Sequence, residues 1–269
     1  MTSKAPLILL PPSEGKSAGG TGPAFSEASL SFDELDPLRV RVAAALSDAM
    51  ADDAKAAKLL GVKGAALEAA RTANRNVMVS PTLRAVERYT GVLYDALDFA
   101  TLSATAKRRA AKQIIIFSGL WGAVAAADPI PDYKLKMGAS LPGVGKLATT
   151  WRQPLTDALA PVVARRTVWD LLPNEHAAAW APDPASMRSR ISVKFIDETT
   201  DPATGETKRS VVNHWNKLLK GALVRHVLDT QLCDHRGLAD FDHPLGYRYD
   251  DSLTVERKGV TQVSLIAPR

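Results

Sequence analysis

Three short apolar segments constrain the fold of this chain more than any other feature, because each has the pattern of a buried β-strand that stops abruptly. They are Leu7 to Leu10, Gln113 to Ser118 and Thr167 to Leu172. Pro11-Pro12 ends the first, a Ser-Gly-Leu-Trp-Gly turn ends the second, and Pro173 ends the third. Continuous apolar runs between such turn residues are typical of buried strands, so we expect them to form a sheet.

Residues between these strands favour helices. The stretch from Asp36 to Arg75 carries Ala, Leu and Val at helical spacing and is interrupted at Gly61, which predicts two helices joined by a hairpin. Residues 80–112 and the segment from His214 to Leu232 are also predicted to be helical. Residues 191–197 and 207–212 flank a turn-rich segment and predict a β-hairpin.

The order of these elements predicts a mixed α/β (α+β) fold in one domain over residues 1–269. We expect a mixed central sheet with surrounding helices and a helix-hairpin-helix element, and residues 36–112 as a helical subdomain remain an alternative. Strands and helices do not alternate at regular βαβ spacing, which argues against a Rossmann-type dinucleotide fold.

Composition narrows the classes of protein further. Of 269 residues, 46% are apolar, enough for a substantial core and too many for a disordered chain. The single Cys233 cannot form an internal disulfide, so we expect a cytoplasmic protein, and neither a signal peptide nor a membrane span is apparent. No motif with metal-ligand spacing occurs, so we expect no metal and no cofactor. The net charge of +5 favours polyanionic partners weakly.

A loop rich in Gly and Ser follows the first strand and contains Gly15-Lys16-Ser17. This triplet resembles the end of a phosphate-binding P-loop, but Leu10 stands where that motif needs its first glycine. The loop also continues into residues that cannot begin a helix. Ser13, Glu14 and Lys16 therefore remain candidates for ligand binding beyond a strand end, with a solvated surface loop as the alternative.

The predicted hairpin is the strongest candidate for contact with nucleic acid. Its turn is Gly61-Val62-Lys63-Gly64, and Lys58 and Arg71 add positive charge nearby. Backbone amides of such a turn can bind phosphate groups, although any helical hairpin also needs glycine at its corner. A second glycine turn at residues 141–146 is the competing candidate.

Other polar residues follow the remaining strands or form basic clusters. Ser118 ends the second strand, Tyr133 and Lys134 follow a loop, and Glu175 follows the third strand, where it could act as a general base. Lys217 and Arg225 belong to a basic region on the last predicted helix, for which solvated surface charge is the alternative.

Taken in order, the motifs resemble the YaaA family of peroxide-stress proteins. They are LILLPPSEGK, the Gly61 hairpin, RYTG at residues 88–91, FSGLWG, PDYKLKMG, TTWRQPLTDAL, VWDLLPNE and HWNKLLKGALVRH. The resemblance runs from about residue 7 to residue 249. It implies a cytoplasmic bacterial protein that limits oxidative damage, with a positively charged cleft, a helix-hairpin-helix and binding to duplex or branched DNA without sequence specificity.

The resemblance also selects positions in this chain. It favours Gly61-Val62-Lys63 as the family hairpin over the turn at residues 141–146 and implies a set of polar cleft residues. They are Ser13, Lys16, Tyr89, Ser118, Tyr133, Lys134, Glu175, Lys217 and Arg225. One departure is Lys134, which stands where the better-known branch of the family has arginine and lacks the bidentate fork of that side chain.

Three functions remain as alternatives, and the third has the weakest support. The first is a DNA-binding protein that uses the hairpin and a basic cleft. The second is an enzyme acting on a nucleotide or nucleobase as a lyase or hydrolase, with Lys16, Glu175 and Lys217 as catalytic residues, because a desolvated lysine beside a carboxylate suits such chemistry. The third, iron handling, rests on the resemblance alone.

Overall fold

The computed structural model describes residues 4–212, 216–243 and 245–269. Within these residues the longer helices are α1 (Asp36–Ala49), α2 (Asp53–Leu60), α3 (Ala65–Arg75), α5 (Val92–Leu97), α6 (Ala104–Gln113), α8 (Arg152–Val163) and α10 (Asn216–Thr230). Single-turn helices are α4 (Ala85–Arg88), α7 (Leu147–Thr150) and α9 (Asn174–Ala177). The strands are β1 (Leu7–Leu10), β2 (Leu83–Arg84), β3 (Ile114–Ser118), β4 (Gly122–Ala125), β5 (Pro129–Ile130), β6 (Ser140–Leu141), β7 (Gly145–Lys146), β8 (Thr167–Asp170), β9 (Ser189–Thr200), β10 (Thr207–Val211), β11 (Arg248–Arg257) and β12 (Val260–Pro268).

The three apolar runs form the centre of an eight-stranded mixed sheet. Its order is β11-β12-β9-β8-β1-β3-β4, and β10 pairs with β9. β1 lies parallel to β3 on one side, with Ile8 opposite Ile114, and parallel to β8 on the other, with Leu7 opposite Val168. β4 and β11 are antiparallel to their neighbours. The prediction of a mixed sheet is confirmed. Its antiparallel strands distinguish it from the mostly parallel sheet of a Rossmann fold.

Helices cover the sheet and share its core. All residues of β1, β3 and β8 are buried, as expected for strands that read as continuous apolar runs. Buried apolar residues of α1, α3, α5 and α6 belong to the same hydrophobic cluster as the sheet. α5 packs along α10, where Gly221 lies so close to α5 that a Cβ atom would approach the Leu93 carbonyl oxygen to 2.3 Å.

The hairpin forms where the sequence predicts it, within a region that has one more break than expected. α2 ends at Gly61, whose φ of 67° lies in the left-handed region that favours glycine, and α3 begins at Ala65. The expected single helix before Gly61 is instead α1 and α2, separated after Met50. Asp52 explains the break, because its side chain accepts a hydrogen bond from the Lys55 amide at 3.0 Å and caps α2.

The C-terminal part contains the predicted β-hairpin and a second pair of strands. The β-hairpin of β9 and β10 is confirmed, and β11 and β12 form a long antiparallel pair at the C-terminal end. The last predicted helix begins at Asn216 in the described part of the chain, and His214 and Trp215 lie outside the described residues. Among the helices that the structure describes, none is long and apolar enough to cross a membrane.

Candidate functional site

The sheet brings three separate stretches of polar sequence to one edge. β1, β3 and β8 are adjacent and parallel, so their carboxyl ends lie side by side. Lys16 follows β1, Ser118 ends β3, and Glu175 and His176 follow β8. The carboxyl ends of parallel strands are where ligands bind in open α/β sheets. The edge therefore brings together Lys16 and residues that lie more than 100 positions later in the chain.

The loop that carries Lys16 is fixed in place by a buried arginine. The Arg88 guanidinium donates hydrogen bonds to the backbone carbonyls of Ser17, of Pro81 at 3.2 Å and of Ile130 at 3.2 Å. The Ser17 amide in turn donates to the Arg88 carbonyl at 2.8 Å. A charged group that bridges three chain segments in this way makes the glycine-rich loop an ordered wall of the site.

A small cavity of about 130 Å³ opens at this edge, and we call it the Lys16 cavity. Its lining is formed by Pro12, Ser13, Glu14, Lys16, Tyr133, Lys134, Leu135, Lys136, Glu175 and His176. Ligand pockets for drug-sized molecules have volumes of roughly 300–1,000 Å³, so this cavity suits a smaller group.

The Lys16 amine lies against aromatic rings. Its Nζ atom is 4.4 Å from the ring centre of Tyr133 and 5.5 Å from that of Tyr89, and it donates a hydrogen bond to the Ser13 carbonyl at 3.1 Å. Burial lowers the pKa of Lys16 to about 8, against the opposing attraction of Asp132. A lysine with such a pKa has a substantial fraction of neutral, nucleophilic amine near neutral pH.

A chain of hydroxyl groups supports the two rings. The Ser118 hydroxyl oxygen accepts hydrogen bonds from the amides of Leu120 at 3.2 Å and Trp121 at 3.0 Å. Its proton is therefore directed to the Tyr133 hydroxyl at 2.7 Å, which lies 2.7 Å from the Tyr89 hydroxyl. Burial raises the pKa of Tyr133 to about 12 and also raises the pKa of Tyr89, so both phenols stay protonated at neutral pH.

A carboxylate occupies the cationic mouth of the cavity. Glu14 pairs with Lys136 at 3.0 Å and with Lys134 at 3.9 Å. The hydrogen bond and charge of Lys136 lower the pKa of Glu14, and the charges of Lys134 and Lys217 act in the same direction. The Glu14 carboxylate thus pairs with two lysines. The positive charge of Lys217, in the first turn of α10, also favours its ionised form.

Glu175 and His176 also line the Lys16 cavity. Glu175 accepts a hydrogen bond from the Gly138 amide at 2.6 Å, and a Cβ atom at Gly138 would lie 3.0 Å from the same carboxylate oxygen. His176 is buried, and neither of its ring nitrogens has a hydrogen-bond partner among the described residues. Burial lowers the pKa of His176, which keeps the imidazole neutral at neutral pH.

A larger groove continues from the Lys16 cavity toward the helical hairpin. This groove has a volume of about 600 Å³, and we call it the hairpin groove. It is lined by Ala49, Lys55, Lys58, Leu59, Lys136, Gly138, Ala139, Ser140, Pro142 and Glu175. Lys136 and Glu175 line both spaces. Together the two linings hold five lysines and two glutamates, so positive charge predominates from α2 to Lys16.

Two predicted site residues have structural partners instead of facing these spaces. Arg71 is buried, donates to the Met50 carbonyl at 3.1 Å and pairs with Asp53 at 2.5 Å, so its charge is not available to a phosphate group. Arg225 donates to the Leu97 carbonyl at 3.1 Å, at the end of α5. It lies eight residues beyond Lys217, which corresponds to about 12 Å along α10, away from the cavity.

The remaining hairpin residues are accessible. Lys58 and Lys63 are exposed, Gly61 and Gly64 form the turn between α2 and α3, and Val62 is partly buried against the core. The groove reaches the hairpin through Lys55 and Lys58 of α2, while the turn itself lies beyond the groove lining.

One residue that links the hairpin to the cavity was missed by sequence reasoning. The Asn74 side chain on α3 donates to the Lys134 carbonyl at 3.0 Å and accepts from the Lys134 amide at 2.9 Å. Asn74 is fully buried, and its helical spacing from Leu67 and Ala70 is the signal that the sequence offers. The pair of bonds fixes the segment that carries Tyr133 and Lys134 to the hairpin.

Comparison with known proteins identifies the family. The family model described as peroxide stress protein YaaA matches residues 7–253. The chain belongs to the YaaA family. Among relatives of this YaaA-family chain, a UPF0246 protein of Streptomyces coelicolor is 42% identical over 226 residues, which cover 83% of each chain. A UPF0246 protein of Corynebacterium efficiens is 38% identical over 223 residues, covering 81% of this chain and 83% of the relative. One from Shewanella sediminis is 30% identical over 194 residues, covering 70% and 72%.

The resemblance noted in the sequence is thus confirmed as membership of the YaaA family. Among the residues that the structure describes, no group of three or more His, Cys, Asp or Glu side chains is placed to hold a metal ion. The titratable groups that line the Lys16 cavity are lysines, Tyr133, Glu14 and the Glu175-His176 pair.

Proposed function

We propose that this YaaA-family protein binds DNA through its phosphate backbone, with the strand lying in the hairpin groove. The observation that carries the proposal is the continuity of positive charge from the helical hairpin to the Lys16 cavity. Lys55 and Lys58 line the groove from α2, and Lys136 lines both the groove and the cavity. Lysines on a groove wall bind phosphate groups as point charges without reading the sequence of bases.

The hairpin supports this proposal by its position. α2 and α3 meet at a glycine turn whose exposed Lys63 extends the line of lysines past the end of the groove. Arg71 supports the proposal only indirectly, since its bonds to Met50 and Asp53 fix α3 against α1 and α2. Family membership in the peroxide stress proteins fits a role in protecting DNA from oxidation.

Salt dependence tests whether the three groove lysines carry the binding. Contacts from Lys55, Lys58 and Lys136 to three phosphates correspond to a slope of about −2.7 in log K against log salt. Affinity for a duplex should therefore fall about 40-fold between 50 and 200 mM salt. Fluorescence anisotropy with a labelled duplex and with a four-way junction measures both the slope and any preference for branched DNA.

Charge reversal locates the binding surface. The variant Lys55→Glu/Lys58→Glu should lower affinity at 50 mM salt by tenfold or more and flatten the slope. The matched control, Arg108→Glu/Lys112→Glu, reverses two exposed charges on α6, outside the groove. If both variants lose affinity equally, or if the unaltered protein binds no duplex or junction at low salt, the proposed function is wrong.

Glu14 offers a test with the opposite sign. Its carboxylate holds Lys134 and Lys136, where a phosphate group would compete for the same cations. Glu14→Gln removes the competing charge from an exposed ion pair worth roughly 0.2–1 kcal/mol, so DNA affinity should rise about 1.4- to 5-fold. Unchanged or weaker binding by Glu14→Gln would show that DNA does not reach the cavity mouth.

A further inference from the structure

We propose that Lys16 is an imine-forming nucleophile for the ring-opened aldehyde of an abasic site in DNA, which makes the protein a β-lyase of such sites. The inference rests on the proposed function, because the DNA in the hairpin groove delivers the substrate to the cavity. Three features of the structure lead to it: the position of Lys16, the size of the cavity and the groups around it.

The position of Lys16 separates it from the other lysines of the site. Its amine lies over the ring of Tyr133 and donates to a neutral carbonyl, that of Ser13. Lys136, by contrast, is half-exposed and paired with Glu14 at 3.0 Å. The pKa of about 8 makes a fraction of the Lys16 amine neutral at pH 7.5, whereas an ordinary lysine is almost fully protonated there.

The volume of the cavity selects the class of substrate. A space of about 130 Å³ lies below the roughly 300–1,000 Å³ of pockets for drug-sized ligands, so it suits a group the size of a sugar better than a whole nucleoside. An abasic nucleotide is a sugar without a base. It also has the smallest unstacking cost when it turns out of the duplex, because no base leaves the stack.

The chemistry balances with the groups that the cavity provides. The Lys16 nitrogen attacks the C1′ aldehyde carbon, the carbonyl oxygen leaves as water, and a protonated imine forms. A base then removes the C2′ proton, the C3′–O bond breaks, and the 3′ phosphate leaves with its electron pair. Water hydrolyses the conjugated imine, which releases an unsaturated aldehyde and restores the Lys16 amine. No oxidant or reductant takes part.

Glu175 is the base that the geometry favours for the C2′ proton. It lines both the hairpin groove and the Lys16 cavity, so it lies where a strand in the groove would turn into the cavity. The Gly138 amide holds one of its oxygens at 2.6 Å and leaves the other for proton transfer. Lys134 and Lys136 stand at the mouth, where their charges stabilise the departing phosphate.

Borohydride trapping tests the proposal on the full-length protein. A duplex with one natural abasic site is incubated with the protein and sodium borohydride, which reduces the imine to a stable amine. We expect a covalent protein–DNA adduct that peptide mass spectrometry maps to Lys16. A duplex with a tetrahydrofuran analogue, which has no aldehyde, should give none. An adduct mapped to another lysine, or no adduct with a duplex that is bound, overturns the proposal and leaves DNA binding intact.

Variants assign the two steps separately. Lys16→Arg keeps the positive charge without a nucleophilic amine and should abolish trapping while it retains affinity for intact duplex. Lys112→Met, which removes an exposed lysine on α6 that lines neither the groove nor the cavity, should still be trapped. Glu175→Gln can accept the Gly138 hydrogen bond, so it should be trapped normally but cleave the abasic strand about 100-fold more slowly. Trapping of Lys16→Arg, or cleavage at an unchanged rate by Glu175→Gln, contradicts the corresponding role.

Discussion

The burial of Lys16 predicts an unusual dependence of stability on pH. The folded protein holds this amine with a pKa of about 8, lowered from its usual 10.5, because the charged form is poorly solvated. Below pH 8 the lysine is charged in both the folded and the unfolded protein, and the folded state carries the full desolvation cost. As pH rises through 8, the folded protein releases the proton while the unfolded chain keeps it, so the free energy of unfolding rises.

The size of the effect follows from the two pKa values. The difference of 2.5 units between 10.5 and 8 corresponds to a limit of about 3.4 kcal/mol at high pH. Between pH 7 and pH 9.5 the contribution of Lys16 should be about 2 kcal/mol, since the unfolded chain is still mostly protonated at the upper value. Measurements stop at pH 9.5 because tyrosines of the unfolded chain begin to ionise near pH 10.

Comparison of urea denaturation of Lys16→Met and of the unaltered protein at several pH values isolates the contribution of Lys16 to the free energy of unfolding. All other titrating groups are shared, so the difference between the two proteins in free energy of unfolding should change by about 2 kcal/mol across the range. Lys112→Met, which removes an exposed lysine on α6, should follow the unaltered protein. Parallel curves for Lys16→Met and the unaltered protein, within about 0.5 kcal/mol, would refute the reasoning.

Two further substitutions test the partners of buried polar groups. Arg71→Met removes the buried guanidinium that donates to the Met50 carbonyl and pairs with Asp53, and leaves Arg75 as the donor to that carbonyl, so it should lower the free energy of unfolding by about 2 kcal/mol, while the folded fraction keeps its DNA affinity. Tyr133→Phe breaks the hydroxyl chain between Ser118 and Tyr89 and should cost about 1–3 kcal/mol in urea denaturation. Tyr94→Phe, which loses a single bond to the Pro11 carbonyl, should cost less.

The strands and the loops that follow them could be predicted because their signals are local. An apolar run ended by Pro or Gly indicates a strand and its end from the local sequence alone. The segments after Leu10, Ser118 and Leu172 could therefore be predicted as candidate parts of a binding site. Which of these ends lie together depends on strand order, and β1 pairs with residues more than 100 positions away. The sequence carries no local signal for such a pairing.

Whether a charged side chain is exposed or buried also depends on tertiary structure, for which the sequence carries no local signal. Lys58 and Arg71 read alike in the sequence as positive charges near a glycine turn, yet one is exposed and the other is buried. Arg71 lies on the face of α3 toward α1, where the end of that helix offers the Met50 carbonyl. The break after Met50, which creates this free carbonyl, was not predicted. Arg225 likewise satisfies carbonyls at the end of α5, whose position against α10 is a tertiary property.

Because β1 lies between β3 and β8 in the sheet, it can pair fully only after both later strands have been synthesised. The first strand leaves the ribosome early, yet Ile8 pairs with Ile114 and Leu7 with Val168, so its two partners appear 106 and 161 residues later. At roughly 5–20 residues per second, the apolar segment Leu7 to Leu10 remains without either neighbour for many seconds. A chain truncated before residue 167 lacks β8, so at least one edge of β1 has no partner strand. Such fragments should aggregate instead of folding.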